Sequence, residues 1–305
     1  MLQFDEAFFE GETRSDFYIE PMMKRAWAVE LEVFTQVVEI CKRYGIPYFA
    51  AYGTFLGAVR HQGFIPWDDD IDIAVKRSDY HRLLQLLTKE LPQGYVVESY
   101  YTAQDHHQPW ASIMNTRYVL TDEEQIRRFY GCPYIAGIDI YPIDFIPEDP
   151  EEDDIQMQLY GAVLNVAQCY PEYEESGELY EYISQIEQMC GVSLSDDGTL
   201  RQQLFVLADQ LAAMYPEEEC SYCTIMSSRL LRQDRSFKFP KEWYDHAVEL
   251  PFEQVKMAVP ANYEAAIQIY YGENYMTPRR FAQSHEYPFY KRQEEFLNGR
   301  GIYTK

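Results

Sequence analysis

Positive charge is scarce in this 305-residue sequence, and long hydrophobic runs are missing. Lys and Arg number 26 against 50 Asp and Glu, a formal charge of −24. Nucleic-acid binding and docking to anionic lipid both draw on Lys and Arg to neutralise phosphates. No cluster of four or more basic residues offsets the deficit, so both function classes are disfavoured and no nucleic-acid partner is expected. No apolar stretch approaches the roughly 18–20 residues of a membrane-spanning helix. The opening residues Met1-Leu2-Gln3-Phe4-Asp5-Glu6 lack the basic and apolar regions of a secretory signal. The expectation is a cytoplasmic protein with no transmembrane segment, which would meet a membrane only at its inner face.

Cysteine is also sparse: Cys41, Cys132, Cys169, Cys190, Cys220 and Cys223. Only Cys220 and Cys223 form a CxxC, and a structural zinc site needs a second such pair or a matching His pair. Reduced thiols are the expectation for a cytosolic chain. Internal repeats and low-complexity linkers are absent. With 47% apolar and 25% charged residues, the chain is globular and long enough to bury a sizeable core.

Trp27, Leu31, Phe34, Val38 and Cys41 step by three and four, the stripe of an amphipathic helix that Gly45 ends. Ile46 to Tyr52 reads as a short buried strand ending at Gly53-Thr54, followed by a helical turn or short helix through Arg60. A loop from His61 to Trp67 leads into an alternating strand, Asp70 to Val75. Asp79 to Glu90 is helix-like. Strand candidates follow at Tyr95–Tyr101, Ser112–Leu120 and Tyr134–Tyr141. The acidic stretch Pro147–Asp154 breaks the pattern and reads as a solvated boundary. Helical texture runs from there to Arg232. The expected organisation is a core over 1–150, a mainly helical insertion or subdomain over 151–235, and a segment over 236–305 packing back on the core. Strands first and helices later imply an α+β fold.

The chemistry concentrates in Trp67-Asp68-Asp69-Asp70-Ile71-Asp72-Ile73. Side chains alternate along a strand, so Asp70 and Asp72 share one face and Ile71 and Ile73 the other. Two carboxylates on one face repel unless a cation lies between them, and hard oxygen ligands suit Mg²⁺ or Mn²⁺. A Gly-Thr turn upstream, Gly53-Thr54, allows a backbone to approach a phosphate closely. Downstream, Asp139 sits between Ile138 and Ile140, a costly place for a carboxylate unless it is paired or metal-bound.

The run from Gly53 to Ile73, GTFLGAVRHQGFIPWDDDIDI, closely resembles the LicD family, which includes bacterial phosphocholine transferases and is related to fukutin-type ribitol-phosphate transferases. Gly137-Ile138-Asp139-Ile140-Tyr141-Pro142-Ile143-Asp144, Val259-Pro260 and Tyr271 to Met276 add to the resemblance. It implies a nucleotidyltransferase-type, polymerase-beta-like mixed sheet with helices, plus a helical addition. In that fold a Gly-Ser/Thr turn follows the first strand, two carboxylates sit on the second and a third on a later strand; Gly53-Thr54, Asp70/Asp72 and Asp139 occur in that order.

The implied activity is a metal-dependent phosphotransferase moving phosphocholine, or a related polyol phosphate, from a CDP-linked donor such as CDP-choline to a hydroxyl of a cell-surface glycan or its precursor. Asp70, Asp72 and Asp139 would be the catalytic and metal-binding residues. Gly53, Thr54, Arg60, His61 and Trp67 would bind substrate, Arg60 through a bidentate phosphate contact. Trp67 also reads as an anchor beneath the metal loop, and Asp68 as a further ligand at its edge. A nucleotide-sugar glycosyltransferase is the competing enzyme reading of D-x-D. It normally places a nucleotide-binding half before the motif, whereas one helix and one strand precede Asp70. A catalytically inactive nucleotide-binding protein is the non-enzymatic alternative.

Overall fold

The computed structural model describes residues 1–280 and 286–299. A hairpin of β1 (Glu12–Arg14) and β2 (Phe17–Ile19) leads into the long helix α1 (Pro21–Tyr44). Pro21 suits the first helical turn, Lys42 and Arg43 suit the negative end of the dipole, and Gly45 ends the helix at φ 66°. Trp27, Leu31, Phe34, Val38 and Cys41 are all buried, so the stripe is the core face.

Next come β3 (Phe49–Ala50), α2 (Tyr52–Arg60), β4 (Ile71–Lys76), α3 (Arg77–Glu90), β5 (Val96–Glu98), β6 (Ala111–Met114), α4 (Glu123–Arg128) and β7 (Gly137–Ile146). The central sheet has the order β3-β4-β7-β6-β5. Only β4 and β7 run parallel; β3 against β4, β6 against β7 and β5 against β6 are antiparallel. This is the mixed α/β sheet of the nucleotidyltransferase type that the resemblance implies.

The second half holds α5 (Pro150–Gln168), α6 (Tyr170–Ser176), α7 (Leu179–Cys190), α8 (Leu200–Ala212), β8 (Tyr222–Thr224), α9 (Met226–Arg232) and β9 (Phe239–Pro240). After these come β10 (Ala247–Phe252), β11 (Val255–Pro260), α10 (Tyr263–Tyr271) and α11 (Lys291–Leu297). The first strands and α1 share one core. The helices α5, α7 and α8 build a second around Val163, Leu164, Ile183, Leu204 and Phe205. The two halves interlock, because β8 extends the central sheet along the C-terminal part of β7.

The acidic stretch at 147–154 is largely exposed, as expected, and most of it is the start of a helix. Asp149 caps α5 by accepting the Glu151 N–H at 2.7 Å, and Glu151, Glu152 and Asp153 occupy its first turn. Carboxylates there are favoured by the exposed N–H groups and the helix dipole.

Candidate functional site

The strand β4 begins at Ile71, one residue later than alternation alone suggests, so Asp70 belongs to the turn before it. Asp68, Asp69 and Asp70 offer carboxylate oxygens within 4.8 Å of one another, an oxygen-rich group able to hold a hard cation. The turn is built in from several sides. Trp27 stacks on Phe64 at 4.4 Å and its Nε1 donates to the Asp68 carbonyl at 3.2 Å. Asp69 is buried and accepts the Phe289 N–H at 2.6 Å. The Glu253 carboxylate accepts the Phe64 N–H at 3.2 Å, and the Glu253 N–H donates to the Gln62 carbonyl at 2.8 Å. A Cβ on Gly57 would lie 2.5 Å from the Gly63 carbonyl oxygen, and a Cβ on Gly53 would strike the Asp68 carboxylate. Both glycines therefore serve close approach of α2 to the acidic loop.

Three neighbouring strands bring polar groups into register. Asp72 on β4 pairs with Asp139 on β7, and Asp139 pairs with Ser112 on β6. The Ser112 hydroxyl donates to Asp139 Oδ1 at 2.6 Å. The Asp72 N–H donates to Thr54 Oγ1 at 2.8 Å, so the first turn of α2 fixes the height of β4. Burial, and then the charges of Asp70, Asp139 and Asp68, push the Asp72 carboxyl well above the carboxylate range, against a hydrogen bond from Tyr141. Beneath the turn, burial and then the charges of Asp69, Asp70, Asp68 and Asp72 raise Glu30, whose Oε2 has no partner among the described residues. Crowded carboxyls of this kind are what a divalent cation relieves, so the residues present fit a metal.

A cleft of about 1050 Å³ opens beside these groups, lined by Gly53, Arg60, Trp67, Asp68, Asp70 and Asp72. Thr54, His61 and Asp139 are not among its lining residues. Thr54 is buried beneath Asp72. The His61 Nδ1 accepts from Arg60 Nε at 3.2 Å, and burial together with the Arg60 and Arg14 charges brings the ring down to about 4, so it is neutral at pH 7. Asp144 is drawn into a buried bidentate pair with Arg77, at 2.6 and 3.1 Å. Cys220 and Cys223 are buried free thiols.

Part of the cleft comes from residues with no signal in the local sequence. Tyr52, Trp110 and Tyr141 form an aromatic corner: Tyr141 lies 4.9 Å from both Tyr52 and Trp110, centroid to centroid. Tyr52 holds a left-handed φ of 42°, rare for a bulky residue and a mark of strain at a functional place. Its hydroxyl contacts Ser228. The far wall is Gly161, Leu164, Asn165 and Gln168 of α5, with Ser227 to Gln233 around α9. Glu30 did have a signal: an acid three residues from Trp27 and four from Phe34, on the apolar stripe.

The sheet, the acidic turn and the cleft define a nucleotidyltransferase-fold protein. Residues 45–156 match the family model described as LicD/FKTN/FKRP, nucleotidyltransferase domain. A curated relative, the lipopolysaccharide cholinephosphotransferase LicD of Haemophilus influenzae, is 28% identical over 244 residues, covering 78% of this chain and 86% of the relative. An uncharacterized protein of Rickettsia prowazekii is 46% identical over 59 residues, 19% of this chain and 22% of that protein. Residues 45–156, a little over a third of the chain, thus carry a LicD-type nucleotidyltransferase domain. Among the described residues, no helix is long and apolar enough to cross a membrane.

Proposed function

We propose that the cleft transfers phosphocholine, or a related polyol phosphate, from a CDP-linked donor to a hydroxyl of a cell-surface glycan or its precursor, with Mg²⁺ or Mn²⁺. The observation that carries this reading is that Asp68, Asp70 and Asp72 line one large cleft and that Asp139 stands beside Asp72 in strand register. Asp70, Asp72 and Asp139 would hold the cation, with Asp68 as a further ligand. The cation would supply neutralisation of the donor diphosphate and of the departing oxygens.

The other residues act around that centre. Ser112 orients Asp139, which would take the acceptor hydroxyl's proton as the new P–O bond forms and the bond to the departing CMP breaks. Thr54 keeps Asp72 in place, and Gly53 lets donor and acidic turn approach the start of α2. Arg60 presents its guanidinium to a phosphate. Trp67 closes the cleft floor. The corner of Tyr52, Tyr141 and Trp110 suits a quaternary ammonium, which aromatic faces attract. The name of the Haemophilus relative supports the same group. The acidic surface and the absence of a spanning helix among the described residues fit work from the cytoplasmic side.

A thermal-shift screen tests the donor class, since a ligand of the native state raises stability by mass action. CDP-choline, CDP-ribitol, CDP-glycerol and a UDP-sugar are compared with and without Mg²⁺. Mg²⁺-dependent stabilisation by CDP-choline is the expected result. Stabilisation by the nucleotide sugar and by none of the CDP-alcohols would overturn the reading.

A further inference from the structure

The cations of the cleft wall carry an inference beyond the matched domain. Three arginines line the cleft, Arg60, Arg232 and Arg279, across a chain in which acids outnumber bases 50 to 26. Arg14, Arg77 and Arg229 elsewhere in the molecule are neutralised, by Glu253, by Asp144 and Asp209, and by Asp153. Arg60 and Arg232 have no carboxylate partner among the described residues. Each is held in place by neutral groups. Arg60 Nη1 donates to the Tyr275 carbonyl at 2.8 Å. Arg232, the last residue of α9, donates from Nη1 to the Tyr270 carbonyl at 3.3 Å and lies over the Phe237 ring at 4.5 Å.

Stacking on an aromatic face fixes a guanidinium while leaving most of its N–H fork free for an oxyanion. The two arginines also share an anchor: the carbonyls they donate to, Tyr270 and Tyr275, lie at the end of α10 and just beyond it, on one short stretch of the cleft wall. Two cations held in place without a carboxylate ion pair, lining one cleft with an acidic turn, describe a site for a polyanion.

We propose that Arg232, working with Arg60, is a phosphate-binding residue of this cleft and holds the diphosphate of the donor, so that the departing nucleotide phosphate is neutralised by a side chain far outside residues 45–156. That the diphosphate belongs to a CDP-alcohol rests on the phosphotransfer reading; that the cleft binds a diphosphate there does not.

The test is titration of inorganic pyrophosphate into the intact protein by calorimetry, in EDTA so that no metal contributes. The wild type binds, Arg232→Gln weakens binding about tenfold or more, and Arg232→Glu abolishes it. Arg232 is exposed and makes one long hydrogen bond, so an unchanged thermal midpoint accompanies both losses. Pyrophosphate affinity equal to wild type in both variants, or no binding by the wild type, would overturn the proposal. Arginine-dependent pyrophosphate binding without turnover of any CDP-alcohol would sink the donor assignment and leave the anion site standing.

Discussion

Replacing Arg77 by Gln probes how the two halves of the molecule are joined. Arg77 opens α3 directly after β4. Its Nε and Nη2 donate to Asp144 of β7 at 2.6 and 3.1 Å, and its Nη1 donates to Asp209 of α8 at 2.6 Å. Both carboxylates are almost wholly buried, at 1% and 5% exposure. Tyr101 adds a hydrogen bond to Asp209 at 2.7 Å. Removing one partner from a buried ion pair costs about 3–5 kcal/mol, because the other charge is left desolvated. That is a large share of the roughly 5–15 kcal/mol that holds a protein folded.

The pH dependence has a definite sign. Burial pushes the Asp209 carboxyl up, but the Arg77 charge, the nearby His81 and the Tyr101 hydrogen bond outweigh it and hold the group well below the usual range. Its stabilising contribution is therefore complete above the unfolded value of about 3.9 and is lost as pH falls further. Asp144 is the reverse: burial outweighs Arg77 and raises it, so its ionisation costs stability as pH rises. Without Arg77 both carboxyls follow burial and both are raised. The penalty in Arg77→Gln is then largest at pH 7 and shrinks as pH falls through the raised values, where protons replace the missing cation. Urea unfolding at pH 7 and pH 5 measures it. A loss below about 1 kcal/mol at pH 7, or a loss that grows on acidification, would refute the reasoning.

Three further outcomes are expected. Gly57→Ala brings a Cβ to 2.5 Å from the Gly63 carbonyl oxygen; it should lower stability by about 1–3 kcal/mol in denaturant unfolding. Ser112→Ala removes the donor to Asp139; a lost charge-assisted hydrogen bond of about 1.5–3 kcal/mol predicts kcat down roughly tenfold or more, with the donor KM little changed. Trp110→Ala opens the aromatic corner; a cation–π loss of about 0.5–2 kcal/mol predicts a KM for CDP-choline raised severalfold and a KM for CDP-glycerol unmoved.

What was readable in the sequence was whatever is local. The α1 stripe, the Gly45 stop, α3 and the alternation of β4 are written in spacings of three, four and two, and each appears as an element. The mixed sheet follows from the order of those elements and the long motif between Gly53 and Ile73. Short strands carry too few residues for a period: Tyr222–Thr224 lies within a stretch of helical texture and joins the sheet because β7 continues past Tyr141 and offers it an edge. The acids at 149–153 were ambiguous, since a charged helix start and a solvated loop share a composition.

The same division holds at the site. Asp70 and Asp72 stood out by strand alternation and Asp139 by its apolar neighbours, and the parallel register of β4 and β7 sets Asp72 beside Asp139. Tyr141, Trp110 and Arg232 reach the cleft, and Ser112 reaches Asp139, through strand pairing and chain return, which no local spacing encodes. Thr54 was visible as a candidate phosphate ligand, but the fold uses its hydroxyl oxygen to accept the Asp72 N–H.

The central claim is tested most directly by release of CMP from CDP-choline together with transfer of labelled phosphocholine to a glycan hydroxyl acceptor, comparing wild type with Asp72→Asn and Asp139→Asn, each confirmed folded. The account predicts turnover that needs Mg²⁺ or Mn²⁺, stops in EDTA, and falls by at least about 100-fold in either variant, consistent with loss of several kcal/mol of transition-state charge stabilisation. Turnover that persists in EDTA, or that both variants sustain at the wild-type rate, would contradict it.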